Sequence, residues 1–168
     1  RPLATLALVL VGLLLISGLW ERALLSLYLS GISVVSCAVF GGAIGLLCAV
    51  SPMAWRIVRP ICDMLQTIPL FVFLIPVLMF FQIGEFSAFL AICAYAIVPM
   101  IRYTQQGVST TPDELIEAAI SSGATPAQML WDVRIPYAVP TILLGLNQTI
   151  LYAFAMLVIA ALIGTTGL

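Results

Sequence analysis

The chain has 168 residues, 63% hydrophobic and 8% charged, with no histidine and a net charge of −1, and its mean hydropathy is +1.22. A soluble domain carries roughly a quarter charged residues, and a chain this apolar cannot hide its surface in one core, so most of it meets lipid. The charge balance excludes a nucleic-acid partner, the lack of histidine excludes a nucleophile–histidine–carboxylate set, and no glycine-rich phosphate loop of the Walker type occurs.

Hydropathy predicts an all-α, polytopic transmembrane helical bundle with about five spans, over residues 3–19, 24–50, 64–82, 86–101 and 138–163. The first is short enough to pass for a signal peptide. Arg1 is no initiator and no small-residue cleavage site precedes Trp20, which favours a span. In the second, Ser33, Cys37, Gly41, Gly45 and Ala49 recur every four residues and make a smooth stripe that another helix can approach closely. Packing within one subunit is the favoured reading of that stripe, and a dimer face is the other. Cys37, Cys48, Cys62 and Cys93 have neither metal-ligand nor disulfide-framework spacing and read as small packing residues.

In the third segment Pro69 and Pro76 each remove a backbone hydrogen bond, so that helix is expected to bend. Carbonyls freed at membrane depth are tolerated where they are buried in protein or line a wet cavity, which makes this helix a pathway candidate, flanked by Gln66, Thr67 and Gln82. No ionisable group is expected deep in any span, unlike an ion-driven pump. The membrane part therefore reads as a conduit whose energy comes from outside it.

Between the fourth and fifth segments, residues 102–137 are not membrane-spanning and hold two short helices with start signals, over 112–122 and 126–134. Thr111-Pro112-Asp113-Glu114 reads as an N-cap threonine, a proline at the first helical position and a glutamate that closes a capping box, and Thr125-Pro126-Ala127-Gln128 repeats the device with glutamine. Gly123 lies where a left-handed C-terminal stop is needed. A rigid helix–turn–helix held between spans is built to dock, and it offers Leu115, Ile116, Ala119, Leu130 and Trp131 as apolar contacts. In the last segment Asn147, Gln148 and Thr149 form a polar cluster that should face inward, either bonding between helices or meeting solute. Phe71, Phe73, Phe80, Phe81, Tyr95, Tyr103, Tyr152 and Phe154 supply rings that either pack or meet a cation.

The arginines predict sidedness. With the N-terminus in the cytoplasm, Arg1, Arg56, Arg59, Arg102 and Arg134 fall inside and only Arg22 outside, which also puts the 102–137 loop in the cytoplasm. Trp20-Glu21-Arg22 and Ile83-Gly84-Glu85 are then short connections on the other face.

Glu117-Ala118-Ala119, three residues, Gly123, nine residues and Val133-Arg134-Ile135-Pro136 resemble the cytoplasmic loop of membrane-spanning permease subunits of binding-protein-dependent ABC importers, the MetI-like superfamily. Val133 and Ile135 depart from the family pattern only by aliphatic exchange. Asp63-Met64-Leu65-Gln66-Thr67-Ile68-Pro69, the run to Pro76, Gln82-Ile83-Gly84, Pro99-Met100-Ile101-Arg102-Tyr103-Thr104 and Gly145-Leu146-Asn147-Gln148-Thr149-Ile150 resemble the branch for glycine betaine, proline betaine or choline.

The resemblance implies a single transmembrane domain over 1–168 with its coupling loop at 102–137, in a bacterial inner membrane. It implies a transporter subunit that is no enzyme and holds no cofactor, with ATP and magnesium on separate ATPase subunits. A second permease copy, in a homodimer, and a substrate-binding protein or fused binding domain complete the expected assembly. Glu117, Ala118, Ala119, Gly123, Leu130, Val133, Ile135 and Pro136 would couple to the ATPase. For Glu117 there are two readings, a charge-assisted contact to a basic group of that ATPase or closure of the second short helix. Gln66, Thr67, Pro69, Pro76, Asn147, Gln148, Thr149 and Tyr152 would line the path. Permeases of this branch continue past the position of Leu168 into a further span, so a fragment of a longer polypeptide is expected. A permease for another solute, such as methionine or a sulfonate, and a membrane scaffold or channel that binds a soluble partner are the alternatives.

Overall fold

A computed structural model describes residues 2–82 and 84–162 of the chain. Among them the chain is helical, in the order α1 (Pro2–Ile16), α2 (Trp20–Val50), α3 (Pro52–Thr67), α4 (Leu70–Phe81), α5 (Glu85–Ser109), α6 (Asp113–Ser121), the single turn α7 (Pro126–Gln128), a π-helical segment (Met129–Arg134) and α8 (Ile135–Leu162). Three helices, Trp20–Val50, Glu85–Ser109 and the continuous Pro126–Leu162, are long and apolar enough to cross a membrane. At 1.5 Å per residue the 12-residue α4 reaches only about 18 Å, short of a hydrocarbon core of about 30 Å. The described residues thus hold three helices of spanning length.

Small residues set the bundle. A Cβ on Gly41 would meet Met100 Cβ at 3.0 Å and Ile97 O at 3.2 Å, and one on Gly45 would meet Thr104 Cβ at 2.6 Å and Ile101 O at 2.8 Å. The register rises on both helices together, so α2 and α5 run parallel with their backbones in close contact. The stripe on α2 thus packs within the subunit: Ser33, Cys37, Gly41 and Gly45 are all buried. Gly107 of α5 faces Ala138 and Thr141, while Gly145 of α8 faces Tyr103 and Pro99, so α8 runs antiparallel to α5. Ala88, Ala91, Ala96, Ala153 and Ala160 are fully buried beside Leu74, Ile92 and Met156 in the core.

Because α2 and α5 are parallel, the chain must return between them, and it does so in two pieces. Ile68 precedes Pro69 and takes an extended conformation (φ −76°, ψ 128°), as the proline ring demands of its predecessor. Pro69 then caps α4, and Pro76 lies inside it. The expected span over 64–82 is a break at Pro69 rather than a bend. Before the break, α3 is amphipathic: Trp55, Val58, Cys62 and Leu65 pack on Val98 and Ile101, with Arg56, Arg59 and Asp63 exposed on the opposite side.

Other boundaries shift as well. Trp20-Glu21-Arg22 is the first turn of α2, and the connection is Ser17-Gly18-Leu19, with Gly18 at φ +71°. The fourth segment continues two turns past Ile101 to Ser109, because no helix breaker occurs before Pro112. Arg102 is therefore inside a helix rather than at its end. Arg1, Ile83 and Ile163 lie outside the described residues, as do the side chains of Phe71 and Phe73.

Candidate functional site

The first candidate feature lies where α2 and α5 end and α8 begins, the end that also carries Arg56, Arg59, Arg102 and Arg134, and the second reaches from there to the middle of α8. The segment after α5 is closed at each joint by local hydrogen bonds. Thr111 is buried and its Oγ1 donates to Val108 O (3.0 Å), while Pro112 caps α6 without a side-chain bond. The capping box expected at Thr111 and Glu114 does not form, because α6 starts at Asp113 with Pro112 in the cap position, which leaves Thr111 one residue outside it. Asp113 and Glu114 still sit in the first turn of α6, where the helix dipole favours carboxylates.

The stop expected at Gly123 is present. Its φ is +79°, its N–H donates to Ile120 O (2.9 Å), and the Ala124 N–H donates to Ala119 O (3.0 Å). These two bonds form a Schellman closure. The box at Thr125 also forms, with Gln128 N–H donating to Thr125 Oγ1 (3.3 Å) and Thr125 N–H donating to Gln128 Oε1 (2.9 Å). Past Gln128 the expected α-helix over 126–134 gives way to π geometry, marked by the Ile135 N–H bond to Leu130 O. That segment runs unbroken into α8, so this element is a rigid extension of a spanning helix.

Its surface is open and mixes exposed apolar side chains with the carboxylates of Asp113, Glu114, Glu117 and Asp132. Leu115 is 42% exposed, Ile120 62% and Trp131 63%. Glu117, Ala118 and Gly123 are exposed as well, with Pro136 beyond them, while Ala119, Leu130, Val133 and Ile135 are half-buried. Glu117 makes no ion pair among the described residues and closes no helix start, since the box at Thr125 is complete without it. Beneath the element a recess of about 250 Å³ is lined by Val50, Pro126, Met129, Leu130 and Arg134.

The second feature is a cleft of about 290 Å³ among α3, α5 and α8. Gln66 lines it from α3, Pro99, Arg102, Tyr103 and Gln106 from α5, and Gln148 and Tyr152 from α8. The Tyr152 ring is held by Tyr95, with centroids 5.2 Å apart and planes tilted by 35°. Arg102 donates from Nη2 to Asp63 Oδ1 across to α3, and its Nε is buried without an acceptor among the described residues. Beside this pair, burial pushes the Cys62 thiol up from its ordinary value while the Arg102 charge pulls it back.

Of the expected path residues, Gln66, Gln148 and Tyr152 meet in this cleft. Thr67 is exposed and its Oγ1 donates to Met64 O (3.1 Å). Pro69, Pro76 and Asn147 are exposed elsewhere, and Thr149 is buried outside the cleft. Arg102 and Gln106 were not expected there. The signal was available: Asp63 and Arg102 are opposite charges at the same ends of neighbouring segments. Phe81 stacks edge-on with Phe86 at 5.5 Å, away from the cleft.

Residues 41–168 match the family described as binding-protein-dependent transport system inner membrane component. The chain is 42% identical over 151 residues, 90% of its length, to the glycine betaine/proline betaine transport system permease protein ProW of Salmonella typhimurium, covering 43% of that protein. It is 43% identical over 161 residues to the glycine betaine transport system permease protein OpuAB of Bacillus subtilis, 95% of this chain and 57% of that one. Over 169 residues it is 42% identical to the trimethylamine N-oxide transport system permease protein TmoV of Ruegeria pomeroyi, all of this chain and 26% of that one. The chain thus spans between about a quarter and somewhat over half of these relatives. With a family match over most of its length and this identity, the chain belongs to the inner membrane components of binding-protein-dependent transport systems.

Proposed function

We propose that the chain is the permease part of an ATP-driven importer for a compatible solute such as glycine betaine or proline betaine. The observation that carries this is the element over 113–134, which presents Leu115, Ile120 and Trp131 to solvent at the arginine-rich end and whose second part, from Pro126, is continuous with a spanning helix. Exposed apolar side chains of this kind fit a groove on a partner, and the continuity with α8 lets a partner's movement reach the bundle. In this reading the arginine-rich end and the 102–137 loop are cytoplasmic. A separate ATPase carries ATP and magnesium, and this chain needs no cofactor. A second permease copy and a binding protein or fused binding domain complete the assembly. Glu117 offers a carboxylate to a basic group of the ATPase, and Ala118 and Ala119 admit close approach.

Support for the solute class comes from the relatives, which are permease proteins of transport systems for glycine betaine, proline betaine and trimethylamine N-oxide, and from a polar cleft edged by tyrosines. The test is uptake of radiolabelled glycine betaine into proteoliposomes holding the full-length permease, its ATPase and its binding protein. ATP-dependent accumulation is expected, and accumulation of another solute with none of betaine would overturn the assignment.

A further inference from the structure

We propose that the cleft is a solute station within the permease itself, in which Arg102 anchors the anionic oxygen of a zwitterion by exchanging it for Asp63. This deepens the importer reading and rests on it. Among the described residues, Arg102 is the one cation lining the cleft. Its Nη2 is held by Asp63 Oδ1, yet Nε, the other half of that side of the guanidinium fork, is buried without an acceptor among the described residues. A buried donor left unpaired is costly, and a planar fork is satisfied best by one carboxylate that takes both nitrogens. Asp63 cannot be that group as it stands, because it takes only one of them.

The pair is also built to exchange. The Asp63 side chain is 51% exposed and that of Arg102 34%, so a displaced Asp63 returns to water at little cost, as half-exposed ion pairs are weak. The anchor and the rings lie together: Tyr103 follows Arg102 in sequence, and Tyr152, braced by Tyr95, lines the same cleft. A methylated ammonium is attracted to tyrosine rings within about 6 Å, while Gln66 and Gln148 supply amides for the polar part. Gly145 lets α8 approach Tyr103 closely enough to bring these groups into one cleft.

The arrangement selects by charge. A solute with both a cationic nitrogen and an anionic oxygen uses rings and anchor together. Choline has no anionic oxygen, leaves Arg102 with Asp63, and gains only the rings. The permease is therefore a second filter that favours dipolar solutes over purely cationic ones.

The test is calorimetric titration of the full-length permease–ATPase complex, without binding protein, with glycine betaine and with choline. Wild type should bind glycine betaine about tenfold more tightly than choline. Arg102→Gln should abolish that preference, and Asp63→Asn should tighten betaine several-fold while choline, facing an unneutralised Arg102, binds no better than before. Should Arg102→Gln fail to assemble, Asp63→Asn still decides, since an anchor freed of its rival must bind better. Equal betaine affinity in wild type and Arg102→Gln, or in wild type and Asp63→Asn, overturns the station, as does parallel loss of both ligands. Reconstituted wild type that imports betaine while failing these comparisons loses only the station. Wild type that imports no betaine loses the importer reading.

Discussion

A Cβ on Gly145 would lie 2.6 Å from Tyr103 Cβ, with Pro99 O at 3.6 Å. Neither Cβ position is a flexible side-chain end, so one backbone must move. Gly145→Ala should therefore lower stability by about 1–3 kcal/mol by overpacking, although alanine in a helix interior is ordinarily favoured over glycine by about 1 kcal/mol. Gly31→Ala, at a site with nothing within 4 Å, should show no such loss. Thermal unfolding of the two variants in detergent checks the contrast.

The two threonines before the short helices should behave differently. Thr125→Ala removes a completed capping box and should weaken its helix start by about 1 kcal/mol. Thr111→Val removes a bond to Val108 O at the end of α5 and should leave the start of α6 unchanged. Amide hydrogen exchange over 113–128 reads both, and lost protection of α6 in Thr111→Val would show that its hydroxyl caps that helix after all.

Gly123 has φ +79° and open space around the position of a Cβ, so the cost of a side chain there is purely one of backbone conformation. Gly123→Ala should destabilise the closure by about 1–2 kcal/mol, and Gly123→Asn by less, since asparagine tolerates the left-handed region. The same exchange measurement ranks them.

The Cys62 thiol is 1% exposed and is pushed up chiefly by burial, against the lowering effect of Arg102. Less thiolate is then present at any given pH, so maleimide labelling of a variant that keeps only Cys62 should rise at higher pH than that of an exposed thiol. Removing the guanidinium charge with Arg102→Gln should displace the rise further upward. A rise at the pH of an exposed thiol would contradict this packing of α3.

Much of this was legible in the sequence because it rests on local chemistry. Gly123 and the Thr125–Gln128 box are set by neighbours a few residues away, and the stripe from Ser33 to Gly45 shows its contact face by spacing alone. What failed depended on distant partners or on competition between them. The start of α6 falls at Asp113 with Pro112 as its cap, one residue later than the expected box, and Thr111 instead donates to the end of α5. Pro69 could bend or break a helix, and the return path between parallel α2 and α5 required a break. The π geometry over Met129–Arg134 leaves no mark in hydropathy. The Asp63–Arg102 pair joins residues 39 apart, which only the packing of α3 on α5 brings together.

The central claim is that the element over 113–134 is the grip of a separate ATPase. Cysteine crosslinking from Ala119→Cys, in a full-length permease otherwise free of cysteine and in intact inner membranes, tests it most directly. The account predicts a crosslinked product with the ATPase subunit that is lost when that subunit is deleted. A residue 119 that reacts only with reagents added from outside, or a crosslink that never contains the ATPase, would contradict it.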